Sequence, residues 1–154
     1  MINLSIIIPC YNESKNIPIL LKNFSKKLKR RDVELIIVNN GSTDSTNSKL
    51  KIIKKKYDFL KIIYVKKNIG YGNGILQGLK KAKGKFISWT HADLQTDPYD
   101  TIRGFEKYKK KLSTNVYIKG KRYGRKIKDT FFTIGMSFFE SILLGKFLWD
   151  INAQ

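Results

Sequence analysis

Cysteine is almost absent from these 154 residues. Cys10 stands alone, which excludes an internal disulfide framework and any cysteine-based zinc cluster. The single histidine, His91, excludes a multi-histidine metal site. Acidic residues are few: 12 Asp and Glu face 31 Lys and Arg, leaving a formal net charge of +19 and an isoelectric point near 10.0. Such a surplus points to an anionic partner, whether nucleic acid, membrane headgroups or a phosphorylated small molecule. There is no linker, internal repeat or low-complexity segment. No basic stretch precedes the short apolar run at Met1-Ile2-Asn3-Leu4, so no signal peptide is expected and a cytoplasmic location is the default.

What is present suits one domain, residues 1–154, with one sizeable core: 42% of the residues are hydrophobic and 12% aromatic, unlike a disordered chain. Strand-type runs alternate with helical spacings. Leu4–Pro9 is β-branched and continuously apolar, as a fully buried parallel strand is. Ile17, Leu20, Leu21, Phe24 and Leu28 then repeat at helical spacing with cations on the other face. Val33–Val38 is a second buried-type strand, Leu50, Ile53 and Tyr57 a weaker helix, and Lys61–Val65 a third strand. A glycine-rich turn from Asn68 to Gly74 precedes a helix predicted from about Ile75 to Lys83, with Gly84 placed to close it as a C-cap. Lys85–Trp89 is a fourth strand, and Pro98 suits the first turn of a helix reaching about Leu112. Val116–Lys119 reads as a fifth strand. A basic loop, Gly120 to Lys128, then leads into the apolar stretch Phe131 to Trp149.

This alternation predicts an α/β fold: βαβ units forming a mainly parallel sheet with helices on both faces. Ligands of such sheets sit beyond the carboxyl ends of the strands, which draws attention to the loops after strands one, two and four. The first carries Pro9-Cys10-Tyr11-Asn12-Glu13, where an aromatic, a carboxylate and an amide could meet a base and a ribose; an ordinary turn with Asn12 or Ser14 as helix cap would use the same residues. The second, Asn39-Asn40-Gly41-Ser42-Thr43-Asp44, is helix-start chemistry, but capping does not call for two consecutive amides. A dinucleotide fingerprint starting at Gly70 fails because position 75 is Ile75, and no P-loop pattern exists. Gly74 and Gly78, each costing a helix ~1 kcal/mol relative to Ala, suggest close backbone approach to a neighbour or ligand.

The fourth loop, His91-Ala92-Asp93-Leu94-Gln95, alternates polar groups at a strand end, where they can converge on one divalent cation; hard oxygen ligands suit magnesium or manganese. A solvated polar loop reads the same. Lys119-Gly120-Lys121-Arg122-Tyr123-Gly124-Arg125 could clamp a diphosphate or lipid phosphate, or be a solvated loop. Phe131–Trp149, interrupted by Glu140 and Lys146, is too broken for a confident membrane span and fits an interfacial helix over 131–149 or a core helix.

In this order and at these spacings the motifs resemble a family 2 glycosyltransferase with the GT-A fold, a Rossmann-like sandwich. They are similar to the branch holding dolichol-phosphate mannosyltransferases and bacterial polyprenyl-phosphate sugar transferases. Ile6-Ile7-Ile8-Pro9-Cys10-Tyr11-Asn12-Glu13 resembles the family's V-(I/V)-P-x-Y-N-E, implying nucleotide contacts from Pro9, Tyr11 and Glu13. Val38 to Thr46 resembles V-D-D-G-S-T-D-x-T, whose second Asp, a base contact, is here Asn40. Asn68 to Gly72 resembles N-x-G-x-G, and Gly78 to Gly84 resembles G-L-x-x-A-x-G. His91 to Pro98 resembles D-A-D-L-Q-x-x-P, the most specific match, implying Asp93 and Gln95 as metal and diphosphate ligands, with His91 in place of the first Asp. Gly120-Lys121-Arg122-Tyr123 resembles G-S-R-Y, implying Arg122 near a phosphate. Asp150 falls where the family often has D-x-x-x-G-F; family members usually continue further, so the chain is read as truncated or as the core alone.

The resemblance implies a metal-dependent hexosyltransferase using Mg2+ or Mn2+ in cell-envelope glycan synthesis. It would invert the anomeric carbon of a nucleotide-sugar donor, act on a polyprenyl phosphate, and bind peripherally at the cytoplasmic face of a membrane. A phosphate acceptor is already an anion and needs little or no general base. A sugar hydroxyl would need one, with Asp150 as candidate. An inactive relative holding a membrane or partner is the alternative suggested by His91, Asn39 and Asn40. A nucleic-acid module would gather its cations with aromatics on one face, whereas lysines here occupy every predicted helix.

Overall fold

The structure, a computed structural model, describes residues 1–28, 31–97, 99–111, 116–120 and 127–147, without the side chains of residues 127–130 and 132. The chain divides into two compact units, Met1–Leu112 and Ser113–Gln154.

The first unit is built on four parallel strands, β1 (Leu4–Cys10), β2 (Val33–Asn40), β3 (Leu60–Val65) and β4 (Phe86–Trp89), in the order β3-β2-β1-β4. Every residue of β1 and β2 is buried, which is why both read as unbroken apolar runs: helices cover both faces of the central strands. The connecting helices are α1 (Asn16–Lys27), α2 (Thr46–Lys54), α3 (Tyr71–Leu79) and α4 (Asp100–Tyr108). Because side chains alternate along a strand, Leu4, Ile6, Ile8, Leu35 and Ile37 pack with α1 (Ile17, Leu20, Leu21, Phe24), α2 (Leu50) and α4 (Ile102, Phe105). Ile7, Ile36 and Val38 point the other way, toward Leu79 of α3 and Ala82. Each fully buried Leu or Ile contributes about 1.5–3 kcal/mol relative to exposure.

On the α3 side, near the amino ends of the strands, Glu34 is a buried carboxylate. Its Oε1 accepts from Ser5 Oγ (2.5 Å) and Lys83 N (2.6 Å), and its Oε2 accepts from the Lys61 ammonium. Burial alone would raise its pKa; the bonds from Lys61, Ser5 and Lys83 outweigh it and hold the carboxyl below its ordinary range. The group thereby ties β1, β2, β3 and the loop entering β4 together.

Four expectations change. Helix α3 runs from Tyr71 to Leu79, not from Ile75 to Lys83, because tertiary packing outweighs the propensity cost of its glycines. A Cβ on Gly78 would lie 2.4 Å from Ile7 Cγ2, and one on Gly74 2.9 Å from Pro9 Cβ, so the close neighbour is β1. Gly84 is not a helix cap; a Cβ there would meet Ser5 N at 2.5 Å, so it too permits close approach to β1. Residues Val116–Lys119 are not in a strand: they form no ladder with β4 or any other described strand. Helix α4 stops at Tyr108, ahead of the expected end near Leu112, which with Pro98 lies outside the described residues.

In the second unit α5 (Ile127–Leu144) begins ahead of the apolar stretch and exposes Phe131, Phe138, Phe139, Ile142 and Leu143. Among the described residues no helix is long and apolar enough to cross a membrane.

The seat of α3 generates a test. Gly78→Ala should lower unfolding free energy by about 1–3 kcal/mol through overpacking against Ile7. Gly72→Ala, whose Cβ would meet nothing within 4 Å, should leave stability unchanged or raise it. Urea denaturation of both variants reads the difference.

Candidate functional site

Strands β1 and β2 end side by side, Cys10 in register with Asn39, and their ends form, with the segment after β3, a cavity of about 100 Å³. Pro9, Cys10, Tyr11, Asn40, Asn68 and Tyr71 line it. Three of these, Pro9, Tyr11 and Asn40, are residues that the sequence marks as nucleotide contacts. Cys10, Asn68 and Tyr71 were not among those candidates. Asn68 and Tyr71 both belong to the N-x-G-x-G run, Asn68 at its fixed first position and Tyr71 at a variable one, so the run signalled the segment but not the Tyr71 side chain.

Asn40 is 3% exposed. Its Nδ2 donates to Asn68 Oδ1 (3.0 Å) and to the Gly70 carbonyl (3.0 Å), while its buried Oδ1 has no hydrogen-bond partner among the described residues. An isolated amide offers both a donor and an acceptor. Here the donor is committed to the loop before α3 and the acceptor remains. Asn39 serves the turn instead, its Oδ1 accepting from Ser42 N at 3.2 Å.

Neither Asn12 nor Ser14 caps α1, whose N-cap is Lys15 without a side-chain cap bond. Both face the loop after β2. Asn12 sits in the left-handed region, φ 58°. Ser14 N donates to Asp44 Oδ2 (3.3 Å), and Asp44 Oδ1 accepts from Thr46 N (2.9 Å) at the start of α2. Burial pulls the Asp44 carboxyl upward, but these bonds from Thr46 and Ser14 prevail and bring its pKa to about 2. Glu13 is half-buried; its Oε2 accepts from Asn16 Nδ2 (2.6 Å), and its carbonyl accepts the first amides of α1. The Cys10 thiol is pushed up to about 12 by burial and then by the charges of Glu13 and Asp44, so it stays protonated and is no nucleophile.

The loop after β4 brings His91 onto the Tyr71 ring, centroids 4.9 Å apart and planes 14° from parallel. Tyr71 Oη donates to the Thr90 carbonyl (3.4 Å). Burial, and next the negative charge of Asp93, raise the Tyr71 phenol above its ordinary value. Asp93 Oδ1 accepts from Gln95 N (3.0 Å) across Leu94, which is left-handed at φ 64°. Gln95 is exposed. Among the described residues no three His, Cys, Asp or Glu side chains form a metal cage. The donors present, one carboxylate with an imidazole and an amide on the same loop, fit an ion that draws its remaining ligands from substrate phosphates and water. Arg122 and Asp150 lie outside the described residues.

Residues 5–150 match Glycosyl transferase family 2. The chain belongs to that family. Its parallel sheet with helices on both faces is the GT-A fold, as in the solved structures it resembles. It is 35% identical over 106 residues to the poly-beta-1,6-N-acetyl-D-glucosamine synthase of Staphylococcus aureus (strain COL), covering 67% of this chain and 25% of the relative. S. aureus TarS 1-349 in complex with UDP-GlcNAc superposes with a TM-score of 0.57 at 26% identity, over 70% of this chain and 32% of that one. The mannosyltransferase PcManGT from Pyrobaculum calidifontis, in complex with GDP-Man and Mn2+, gives 0.55 at 26% identity, over 59% and 27%. The chain spans about a quarter to a third of the length of the curated family members it matches.

The Asp44 bridge predicts a pH effect. An unfolded Asp titrates at about 3.9, and the folded Asp44 at about 2. Its contribution is therefore complete above the unfolded value and lost as pH falls through the folded one. Asp44→Asn should flatten the decline in melting temperature between about pH 4 and pH 2 relative to wild type, as read by thermal melts across that window.

Proposed function

We propose that this chain is the donor-binding part of an inverting glycosyltransferase that takes a sugar from a nucleoside-diphosphate sugar. The observation that carries this reading is the cavity at the carboxyl ends of β1 and β2, where Asn40 keeps a buried amide oxygen without a partner. That oxygen suits a base presenting a ring N–H beside a carbonyl, as uracil and guanine do; cytosine and adenine present a ring-nitrogen acceptor there. The nucleotides in the complexes of TarS, with UDP-GlcNAc, and PcManGT, with GDP-Man, both carry such bases. Tyr11, 44% exposed at the rim, offers a face for stacking, and Pro9 closes the floor beside it. Glu13 is the candidate ribose contact.

Asp93 is assigned to the donor diphosphate, through Mg2+ or Mn2+, with His91 and Gln95 as further candidate ligands. Such an ion, when bound, neutralises charge on the departing nucleoside diphosphate. The stacked Tyr71 ring fixes the plane of His91, and the Asp93–Gln95 turn fixes the carboxylate. Arg122 is assigned to a phosphate of donor or acceptor.

For the acceptor, the first reading is a polyprenyl phosphate reached at the cytoplasmic face of a membrane. It is supported by the sequence of cations Arg122, Arg125, Lys126 and Lys128 followed by the exposed apolar side chains of α5. Headgroup-level cations contribute ~1 kcal/mol each on anionic lipid. The second reading, a sugar hydroxyl in a polysaccharide with Asp150 as base, is favoured by the likeness to the poly-beta-1,6-N-acetyl-D-glucosamine synthase.

Two experiments test these readings. Asp93→Ala should abolish Mn2+-dependent binding of UDP- and GDP-sugars in titration calorimetry while the circular dichroism spectrum is retained; undiminished binding removes Asp93 from the site. In vesicle flotation the chain should rise with anionic lipid and be released by salt, and replacing Arg122, Arg125, Lys126 and Lys128 by Gln should weaken the association. A chain that stays in the soluble fraction at low salt overturns the lipid acceptor.

A further inference from the structure

We infer that Asn12 is a positioning residue for nucleotide binding, the clamp that holds the loop after β1 in register with the loop after β2. The inference rests on the donor-site reading above and adds a residue to it that does not itself line the cavity.

Three observations converge on Asn12. Its backbone is left-handed, φ 58°, a conformation Asn tolerates far better than most side chains, and this turn sends Tyr11 to the cavity rim and Glu13 to the start of α1. Its amide and backbone reach across 30 or so positions of sequence to the neighbouring loop: Asn12 N donates to Ser42 Oγ (3.0 Å), and Asn12 Nδ2 donates to Thr43 Oγ1 (3.2 Å). Asn12 Oδ1 accepts from Thr43 N (2.8 Å) and Asp44 N (3.3 Å). Finally, the gripped loop is continuous with Asn40. One residue thus couples the stacking aromatic and the candidate ribose-contacting carboxylate on the loop after β1 to the candidate base-contacting amide at the end of β2. Little else among the described residues joins the two loops: Ser14 N on Asp44 and the Lys49 ammonium on the Ser14 carbonyl lie beyond Glu13, toward the helices.

A nucleotide needs Tyr11, Glu13 and Asn40 at fixed separations at once. Without the clamp the two loops are joined only beyond Glu13, and more of their ordering must occur on binding, which weakens affinity without removing any contact atom. Asn12 therefore acts through its neighbours.

The test is titration calorimetry of the full chain with UDP and with GDP in the presence of Mn2+. Asn12→Gly preserves the left-handed backbone at no steric cost and deletes the amide. It should bind at least about fivefold more weakly, the scale of one or two net hydrogen bonds. Asn12→Asp keeps oxygens for Thr43 N and Asp44 N and should recover most of the affinity. Thr43→Val, which removes one partner atom on the other loop, should weaken binding in the same direction by a smaller factor and serves if the glycine variant does not fold. The decisive comparison is with Tyr11→Ala. If Asn12 acts by placing Tyr11 among the other contacts, the loss in the double variant Asn12→Gly with Tyr11→Ala falls clearly short of the sum of the two single losses; fully additive losses overturn the positioning role. Wild type that binds while Asn12→Gly binds equally tightly overturns this inference and leaves the donor-site reading intact. Wild type that binds neither nucleotide overturns both.

Discussion

Helix α3 lies against β1 with Gly78 over Ile7 and Gly74 over Pro9, closer than any side chain would permit. That contact governs much else. It covers the second face of the sheet, so that β1 and β2 are buried on both sides. It sets the helix amino terminus above the ends of β1 and β2, which brings Asn68 and the Gly70 carbonyl within reach of Asn40. It also delivers Tyr71 to the cavity and to the face of His91. A helix held one methyl group further away would leave the Asn40 amide without the partners that orient it.

The two ends of the sheet divide the electrostatic work. Near the amino ends a single buried carboxylate, Glu34, is satisfied by a hydroxyl, a backbone amide and an ammonium, and its role is to hold chain segments together. At the carboxyl ends the acids are in loops and only partly engaged: Asp44 bridges two loops, and Asp93 accepts one backbone bond beside a raised tyrosine.

The strand runs were legible because burial on both faces leaves an unmistakable mark, a continuous apolar stretch, and helices α1 and α2 showed their periodicity for the same reason. Helix α3 was misplaced because its glycines are poor helix formers by themselves, and only the contact with β1 compensates. Val116–Lys119 has strand composition, yet composition does not supply a partner to pair with, and no ladder forms among the described strands. Asn12 and Ser14 were legible as polar turn residues, but local capping and long-range bridging use the same side chains, and the choice between them depends on where a second loop lies.

The layered α/β architecture, the order of the strands along the chain, and which loops carry amides and carboxylates follow from side-chain period and local turn chemistry, and so are written in the residues. So are the substitutions Asn39, Asn40 and His91 within otherwise regular motifs. What those residues present was set by packing. Asn40 became an acceptor because Asn68 and Gly70 occupy its donor, and His91 became a stacked ring because Tyr71 lies beneath it. An amide or an imidazole has several hydrogen-bonding faces, and which of them faces a ligand depends on partners many residues away, brought into contact by the packing of α3 on the sheet.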